Sequence, residues 1–406
     1  MTNLKRSALL IFGGLICITL YCFRLDFPNE MYFDEVYHVK TAQDFIQLKE
    51  PTDTAHPHLG KLIISLSIMA FGDHSWAWRL PSLLSGLGSI ALLFLITRKL
   101  GRSFWMGFLA ASLFAMDQVS ATQARIAMLN AMMLFFMLLS FYLLLLSGIN
   151  KTSPKQILLL LSGICLGLSF SIRLASVTML GVFSIFFAKH LLQEKNKKAF
   201  LLELIIYFLI VPLAIYFLSY VILLLMRGKT WLDIWNYQVN MVTYHIGLKE
   251  GHGYGSAWWG WPILARPIWY FFKRSPDFIY GIFCIGNPVI FWTLPLAMTY
   301  MLWNLLERKS FLCGFILWGF LSLWLPWLFV QRVKFFHYIY PAMPFAAMAI
   351  ATVLVRIWGM GRWGRVFAIL YMASATVMFF YWYPLLTGFP ISEQYFQHHL
   401  WFKSWI

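Results

Sequence analysis

Two adjacent carboxylates, Asp34 and Glu35, are the residues of this 406-residue chain whose placement most directly indicates chemistry. They stand about ten residues after a long apolar run, which predicts a position at a membrane surface, where ionisable groups are costly and tend to be functional. A carboxylate at such a place could accept the proton of an attacking hydroxyl group. The alternative is that both acids are ordinary loop charges.

Cations recur beside apolar runs on the same predicted side of the membrane. Lys61 follows His56-Pro57-His58 at the start of a short apolar stretch, and Arg79 opens a long one. The other cations at predicted helix mouths are Arg125, Arg173, Arg332 and Lys334. Because cations on a non-cytoplasmic face run against the positive-inside bias, we expect an anion to hold them there. A lipid phosphate is the economical candidate, because one guanidinium group can bind two phosphate oxygens at once. For Arg79 the alternative is that its side chain merely reaches the lipid headgroups.

Acids and cations on one membrane face together indicate a general base beside a phosphate leaving group. No set of acids and histidines has the spacing of a metal site, so we expect neither a metal nor another cofactor. Asp34, Glu35 and His38 are close enough in sequence to share one divalent ion, and that alternative stays open.

These residues require a scaffold, and the composition indicates a membrane bundle. Hydrophobic residues make up 60% of the chain and charged residues 12%, whereas soluble domains carry about 25% charged residues. Apolar runs long enough to cross about 30 Å of hydrocarbon recur throughout. We place eleven spans near residues 7–23, 79–97, 103–117, 125–147, 156–171, 174–189, 200–226, 278–305, 311–329, 336–355 and 365–384. The predicted fold class is an all-α integral membrane protein, one domain over residues 1–406 with no appended soluble domain.

The net charge of +16 is distributed unevenly between the two predicted sides. With a cytoplasmic N-terminus, the cytoplasmic segments hold 16 cations and 3 acids, and the other side holds the remaining 16 cations and 13 acids. This asymmetry follows the positive-inside rule, so the basic character reflects topology and does not indicate nucleic-acid binding. The C-terminus is then non-cytoplasmic, in a plasma or inner membrane.

Two polar segments, near residues 24–78 and 227–277, are too long to be simple turns, and both fall on the non-cytoplasmic side. Long loops on a rigid scaffold commonly carry function. In the first loop, residues 59–71 are apolar but too few to span, which predicts an interfacial helix. In the second, only residues 231–245 are expected to form a long helix, because Gly and Pro are interleaved beyond them. None of the five cysteines forms a CxxC pair, so neither a disulfide framework nor a zinc site is expected.

Eight short motifs follow one another in a consistent order along most of the chain. They are Asp34-Glu35, His56-Pro57-His58-Leu59-Gly60-Lys61, Trp78-Arg79-Leu80, Ala124-Arg125-Ile126-Ala127-Met128-Leu129-Asn130, His252-Gly253-Tyr254-Gly255-Ser256-Ala257-Trp258, Arg266-Pro267, Gly286-Asn287-Pro288 and Phe336-His337-Tyr338. This ordered set resembles the protein O-mannosyltransferases that use a polyprenyl- or dolichyl-phosphate mannose donor, part of the GT-C class of membrane glycosyltransferases.

The resemblance implies a GT-C bundle that moves mannose, with inversion, from polyprenyl-phosphate mannose to Ser or Thr hydroxyls of secreted or membrane proteins. Asp34 would be the base and Glu35 would orient the acceptor. Arg79 would be the first cation on the departing phosphate. The supporting cations would be Lys61, Arg125 and Arg332, and the possible substrate-binding residues are His56, His58, Asn130, His252, Tyr254, Asn287 and His337.

The chain departs from the family pattern at two positions. The family usually has a second proline where His58 stands and an acid where Asn130 stands, so a role for that acid is open here. The second loop is too short to hold the beta-trefoil insertion of the eukaryotic enzymes, which points to a compact bacterial-type member. Gly286-Asn287-Pro288 has a structural alternative, because proline there could simply begin a helix.

Two other functions remain as alternatives. A related lipid-phosphosugar transferase of the same architecture would glycosylate a glycolipid instead of a protein. A transporter or flippase would carry charges within its spans, and the predicted spans are almost uncharged in their middle regions, which disfavours transport.

Overall fold

The computed structural model describes residues 2–148, 153–247 and 251–406, so residues 248–250 of the second predicted loop lie outside the described residues. In chain order the helices are α1 (Asn3–Cys22), α2 (Glu35–Ile46), α3 (Leu59–Phe71), α4 (Ser75–Gly101), α5 (Phe104–Ala115), α6 (Gln118–Ala124), α7 (Leu129–Ser147), α8 (Ser153–Ile172), α9 (Met179–Gln193), α10 (Lys197–Ile205), α11 (Val211–Leu218), α12 (Val221–Leu224), α13 (Trp231–Gly247), α14 (Pro288–Arg308), α15 (Phe311–Trp324), α16 (Met343–Trp358), α17 (Arg362–Trp382), α18 (Pro384–Thr387) and α19 (Glu393–His399). Two strands, β1 (Ile268–Arg274) and β2 (Ile279–Cys284), lie between α13 and α14.

Within these described ranges, ten helical segments are long and apolar enough to cross a membrane. They are Asn3–Cys22, Ser75–Gly101, Leu129–Ser147, Lys155–Ile172, Leu174–Gln193, Lys197–Leu224, Pro288–Arg308, Phe311–Leu328, Phe336–Trp358 and Arg362–Trp382. The segment Lys197–Leu224 is α10, a π-helical turn at Ile206–Ile210, α11 and α12 in succession. The chain is therefore a multi-pass membrane protein, as its composition predicted.

The predicted span at residues 103–117 is broken in the structure. Helix α5 has only 12 residues, about 18 Å at 1.5 Å per residue, and it ends before Asp117 begins α6. Just beyond α6, the backbone N–H of Ala127 donates to Glu35 Oε1 at 2.9 Å, in the loop that follows α1. Helices α5 and α6 together therefore bring the chain back to the side of the Asp34-Glu35 motif.

The predicted span at residues 278–305 begins too early, and the all-α prediction omits a small sheet. Strands β1 and β2 pair antiparallel, from Ile268 opposite Cys284 to Arg274 opposite Ile279. A short apolar run rich in aromatic and β-branched residues cannot be assigned to helix or strand from periodicity alone. Helix α14 starts at Pro288, where the Asn287 side chain caps it by accepting from Val289 N–H at 3.1 Å. The helix-start alternative for this motif is thus confirmed.

The first long loop carries two helices that hold the site. Helix α3 has the predicted bounds, Leu59–Phe71, and packs against α7 at Gly60, where an added Cβ would lie 2.6 Å from the Leu129 side chain. Helix α2 begins at Glu35, directly after Asp34. The main buried apolar cluster extends from Tyr32 to Trp405, so the loops and the spans share one core.

Candidate active site

The loop after α1 is held by Arg79, which lies in the first turns of α4. The Arg79 Nε atom lies 2.8 Å from Glu35 Oε1, and Nη2 donates to Glu35 Oε2 at 3.0 Å. Its remaining donors are taken by the backbone carbonyls of Leu25, Pro28 and Glu30. Both side chains of the ion pair are 0% exposed. Arg79 and Glu35 therefore position the loop. Neither lines the cavity that lies between the first loop, α13 and the segment before α16, in contrast to the phosphate and acceptor roles expected from the sequence.

Arg125 stabilises the end of α1. Its guanidinium group donates to the carbonyls of Tyr21, Phe23 and Arg24, with the Phe23 bond at 2.7 Å. The last carbonyls of a helix have no partner within the helix, and a cation there also complements the helix dipole. Arg125 thus acts as a cap for α1 and does not line the cavity, unlike the supporting phosphate ligand that was expected.

Lys61 is occupied in a second buried ion pair. Its Nζ atom lies 2.9 Å from Asp53 Oδ2 and donates to the carbonyls of Asp53 at 2.7 Å and His56 at 2.9 Å. His38 Nδ1 lies 3.4 Å from the same Asp53 oxygen. Burial on its own raises the pKa of the Asp53 carboxyl, but the neighbouring Lys61 and His38 outweigh it and hold that pKa well below its ordinary value. Lys61 therefore keeps Asp53 charged. It was expected to bind the donor phosphate, but it does not line the cavity.

A cavity of about 440 Å³ lies between the first loop, α13 and the segment before α16. Its lining includes Asp34, His38, Asp53, His56, Arg173, His245, His252, Arg332, Phe335, His337 and Tyr338. A second cavity of about 450 Å³ adjoins it and shares His56, Arg173, His245, Arg332 and Tyr338. The second cavity has a more apolar wall, contributed by Leu174, Met241, Val242, Ile246 and Trp327.

Asp34 is the carboxylate that remains available to the cavity. It stands directly before α2, and no hydrogen bond or ion pair among the described residues uses its side chain, whereas the neighbouring Glu35 is consumed by Arg79. Burial raises the pKa of Asp34, and the neighbouring side chains of His38 and Arg173 oppose that rise. A half-buried carboxylate with a raised pKa and free oxygens is suited to accept a proton.

Two guanidinium groups, those of Arg173 and Arg332, line both cavities. Arg173 Nη1 donates to Asn130 Oδ1, and its guanidinium carbon lies 5.3 Å from the centre of the Tyr338 ring. Arg332 contacts His245 Nδ1 and donates to the Tyr338 hydroxyl at 3.0 Å. Neither forms an ion pair within the part of the chain that the structure describes. Because neither guanidinium group is engaged in an ion pair there, both can attract an anion.

Asn130 is placed behind the cavity wall, where it orients Arg173. Its amide Nδ2 donates to Gln123 Oε1 at 2.8 Å, and Gln123 Nε2 donates to the Tyr270 hydroxyl at 2.6 Å. The Tyr270 ring stacks on Phe33, the residue before Asp34, with 4.1 Å between ring centres. Three hydrogen bonds and one ring stack thus connect the cation side of the cavity with the loop that carries the carboxylate.

Apart from Asn130, which lies behind the wall, the expected substrate-binding residues divide into two groups. His56, His252 and His337 line the cavity. His58, Tyr254 and Asn287 do not line either cavity. His58 is 1% exposed, with a pKa well below its ordinary value because of burial and the nearby Lys61. Its ring packs against those of Phe45, Tyr220 and Tyr237.

Asn287 is buried where the end of α5, the start of α14 and α17 meet, and its hydrogen bonds join them. Its backbone N–H donates to Asp117 Oδ1 at 3.0 Å, and its amide donates to the carbonyls of Met116 and Ala375, each at 2.9 Å. These bonds account for the residue without a ligand. Its contribution is structural, in contrast to the expected substrate-binding role.

The cavity lining also includes residues that were not among the expected site residues, among them Asp53, Arg173, His245 and Tyr338. Arg173 was noted as a cation at a helix mouth, and that signal alone could have placed it in the site. Tyr338 lies in the Phe336-His337-Tyr338 motif but was not singled out from it, and no local signal in the sequence marks Asp53 or His245. Within the described residues, no group of three or more His, Cys, Asp and Glu side chains is arranged to hold a metal ion.

Comparisons with known proteins agree with this architecture. The family model described as dolichyl-phosphate-mannose-protein mannosyltransferase matches residues 69–237, and the model described as the C-terminal four TMM region of protein-O-mannosyltransferase matches residues 230–405. The chain is 25% identical to the polyprenol-phosphate-mannose–protein mannosyltransferase of Mycobacterium tuberculosis, over 92% of this chain and 86% of that protein. Its identity to the Corynebacterium glutamicum protein of the same name is 22%, over 92% and 88%.

Solved structures show the same fold at low sequence identity. The S. cerevisiae protein O-mannosyltransferase Pmt1-Pmt2 complex bound to the sugar donor matches with a TM-score of 0.88 and 14% identity, over 100% of this chain and 93% of that chain. ArnT from Cupriavidus metallidurans bound to undecaprenyl phosphate matches with a TM-score of 0.62 and 12% identity, over 95% and 77%. The fold is of the GT-C type. Because the two family models together extend from residue 69 to residue 405, the chain belongs to the protein O-mannosyltransferase family.

Proposed function

We propose that this enzyme transfers mannose from a polyprenyl-phosphate mannose donor to a Ser or Thr hydroxyl of a protein, at the non-cytoplasmic face of the membrane. The observation that carries the proposal is the presence, in one cavity, of a carboxylate and two guanidinium groups that form no ion pair with any residue that the structure describes. Asp34 supplies the carboxylate, and Arg173 and Arg332 supply the cations. Family membership supports the sugar and the class of acceptor.

The step is a single displacement at the sugar C1 atom. The acceptor oxygen forms a bond to C1 while Asp34 takes the hydroxyl proton, and the bond from C1 to the phosphate oxygen breaks with inversion. The departing polyprenyl phosphate gains negative charge, which Arg173 and Arg332 stabilise from fixed positions. Glu35 and Arg79 act indirectly, because their ion pair holds the loop that presents Asp34.

The donor lipid needs an apolar route beside its phosphate. The second cavity offers one, since it joins the two arginines to the apolar wall of Leu174, Met241 and Trp327. The proposed topology places the N-terminus in the cytoplasm and the C-terminus outside, supported by the excess of cations in the short connections such as Arg98–Arg102.

Transfer can be tested with purified enzyme in liposomes supplied with labelled polyprenyl-phosphate mannose, a Ser/Thr-containing protein and a glycolipid. We expect label on the protein with the parent enzyme and none with Asp34→Asn, while Asp277→Asn, a matched change at an exposed acid, stays active. Label on the lipid alone would identify the glycolipid-modifying alternative. Near-normal transfer by Asp34→Asn would remove Asp34 as the base.

A further inference from the structure

Helix α13 divides its surface into three contiguous sectors. At about 100° per residue, one sector faces the protein, the next is apolar and exposed, and the third is polar. The protein-facing residues are Ile234, Tyr237, Gln238, Met241 and His245. The exposed apolar residues, which we name the apolar sector, are Trp231, Leu232, Trp235, Val239, Val242 and Ile246. The polar residues are Asp233, Asn236, Asn240, Thr243 and Tyr244.

The apolar sector is exposed to an extent that isolated surface residues do not explain. Trp231 is 68% exposed, Leu232 66% and Ile246 72%. Six neighbouring large apolar side chains form a continuous strip along the helix, and a strip of this kind marks a surface that another apolar phase or molecule covers. The boundary between the apolar and polar sectors runs parallel to the helix axis. Whatever covers the apolar sector therefore stops at that line.

The depth of α13 relative to the membrane is set by its protein-facing side. The Tyr216 hydroxyl donates to Gln238 Oε1 at 2.5 Å, and Tyr216 belongs to the membrane-spanning segment Lys197–Leu224. One residue earlier, the Tyr237 hydroxyl donates to Glu50 Oε2 at 2.9 Å. Near its end, His245 Nε2 bonds to the Ala55 carbonyl at 2.8 Å. The middle of α13 therefore lies beside the C-terminal third of a transmembrane span.

We propose that α13 is an interfacial helix whose apolar sector is immersed in the outer leaflet of the bilayer. A lipid surface fits this face better than a protein partner, because the sector continues the exposed apolar surface of the preceding span at Leu213, Phe217, Leu218 and Leu225. Trp231 and Trp235 are of the type enriched at membrane interfaces. A helix with an apolar and a polar long side lies in the plane of the interface.

The apolar sector also reaches the cavity. Val242 and Ile246 belong to the apolar wall that adjoins Arg173 and Arg332. This consequence rests on the proposed function: acyl chains that touch the sector lie at the rim of the cavity, so α13 is the side from which the donor lipid reaches its phosphate site. The membrane contact itself does not depend on the reaction.

The contact can be measured on the full chain in liposomes by attaching an environment-sensitive fluorophore to single introduced cysteines. The background is Cys22→Ser, since Cys22 is the exposed native cysteine, and this parent without an introduced cysteine measures residual labelling. Apolar-sector positions are probed with Leu232→Cys, Trp235→Cys and Val239→Cys. Polar-sector positions on the same helix are probed with Asn236→Cys, Asn240→Cys and Thr243→Cys as the matched set.

We expect nitroxide lipids with a shallow label to quench the apolar-sector probes at least severalfold more than the polar-sector probes, and aqueous iodide to show the reverse order. Equal quenching of all six probes by iodide would place the helix in water and overturn the proposal. Shielding of the apolar-sector probes from both quenchers would indicate a covering protein and would overturn it too. Because these readouts do not use catalysis, a failed transfer assay leaves them interpretable.

Discussion

Glu35 and Arg79 form a bidentate ion pair that is closed to solvent, with 2.8 Å between Nε and Oε1. Because of this pair, the two adjacent carboxylates differ in function: Glu35 holds the structure together and Asp34 lines the cavity. Glu35 is also bonded by the backbone N–H of Ala127, so it ties α4 and the start of α7 to the first loop. Asp34, one residue earlier, lines the cavity, and its oxygens form no hydrogen bond or ion pair with the residues that the structure describes.

Replacing Glu35 by glutamine should destabilise the protein. The change leaves the buried Arg79 charge without its partner, which costs about 3–5 kcal/mol. The measurement is the thermal midpoint of the purified protein in detergent. Glu393→Gln, which breaks an exposed pair with Arg274, is the control and should change the midpoint little. An unchanged midpoint with complete loss of transfer would instead assign Glu35 a chemical role.

Arg173→Gln should weaken donor binding without destabilising the fold. A charge-assisted hydrogen bond contributes about 1.5–3 kcal/mol, so the KM for the donor lipid should rise roughly tenfold to a hundredfold. Arg125→Gln should do the opposite, lowering the thermal midpoint because it removes the cap of α1. Steady-state kinetics and thermal unfolding of both variants test the assignment. It fails if Arg125→Gln alone raises the donor KM.

Asn130→Leu should raise the donor KM about tenfold, because Arg173 loses the acceptor that orients it. Asn130→Asp should stay within a few-fold of the parent, since a carboxylate can accept the same hydrogen bond. The two variants together show what the departure from the family's acid means. A large rise in the donor KM of Asn130→Asp, with no change in Asn130→Leu, would show that this position must be uncharged and that its hydrogen bond is not required.

In the pH profile of kcat, the acid limb should have an apparent pKa above the ordinary range of an aspartate. Burial raises the pKa of Asp34, so its base form is lost as the pH falls through that raised value. His38 opposes the rise, so His38→Gln should move the acid limb of kcat to higher pH. His398→Gln, at an exposed position, should leave the limb in place. A shift to lower pH would contradict the assignment of the limb to Asp34.

The sequence by itself determined the features that depend on local composition. The membrane class followed from apolar runs of about twenty residues, because crossing the hydrocarbon is a requirement that each segment meets alone. The bounds of α3 and the long helix in the second loop followed from the same kind of local pattern. The Asp34-Glu35 motif also stood out, since acids at a membrane boundary are rare.

Only the tertiary structure decided which charged residues face the cavity. Arg79 and Arg125 look alike in sequence to Arg173, yet the first two are consumed by Glu35 and by the carbonyls after α1. Those partners lie 44 and 102 residues away along the chain. The hairpin of β1 and β2 was hidden for the same reason, because its pairing depends on a second strand. Burial forces each charge and each backbone group to find a partner, and the fold determines which ones remain free for a substrate.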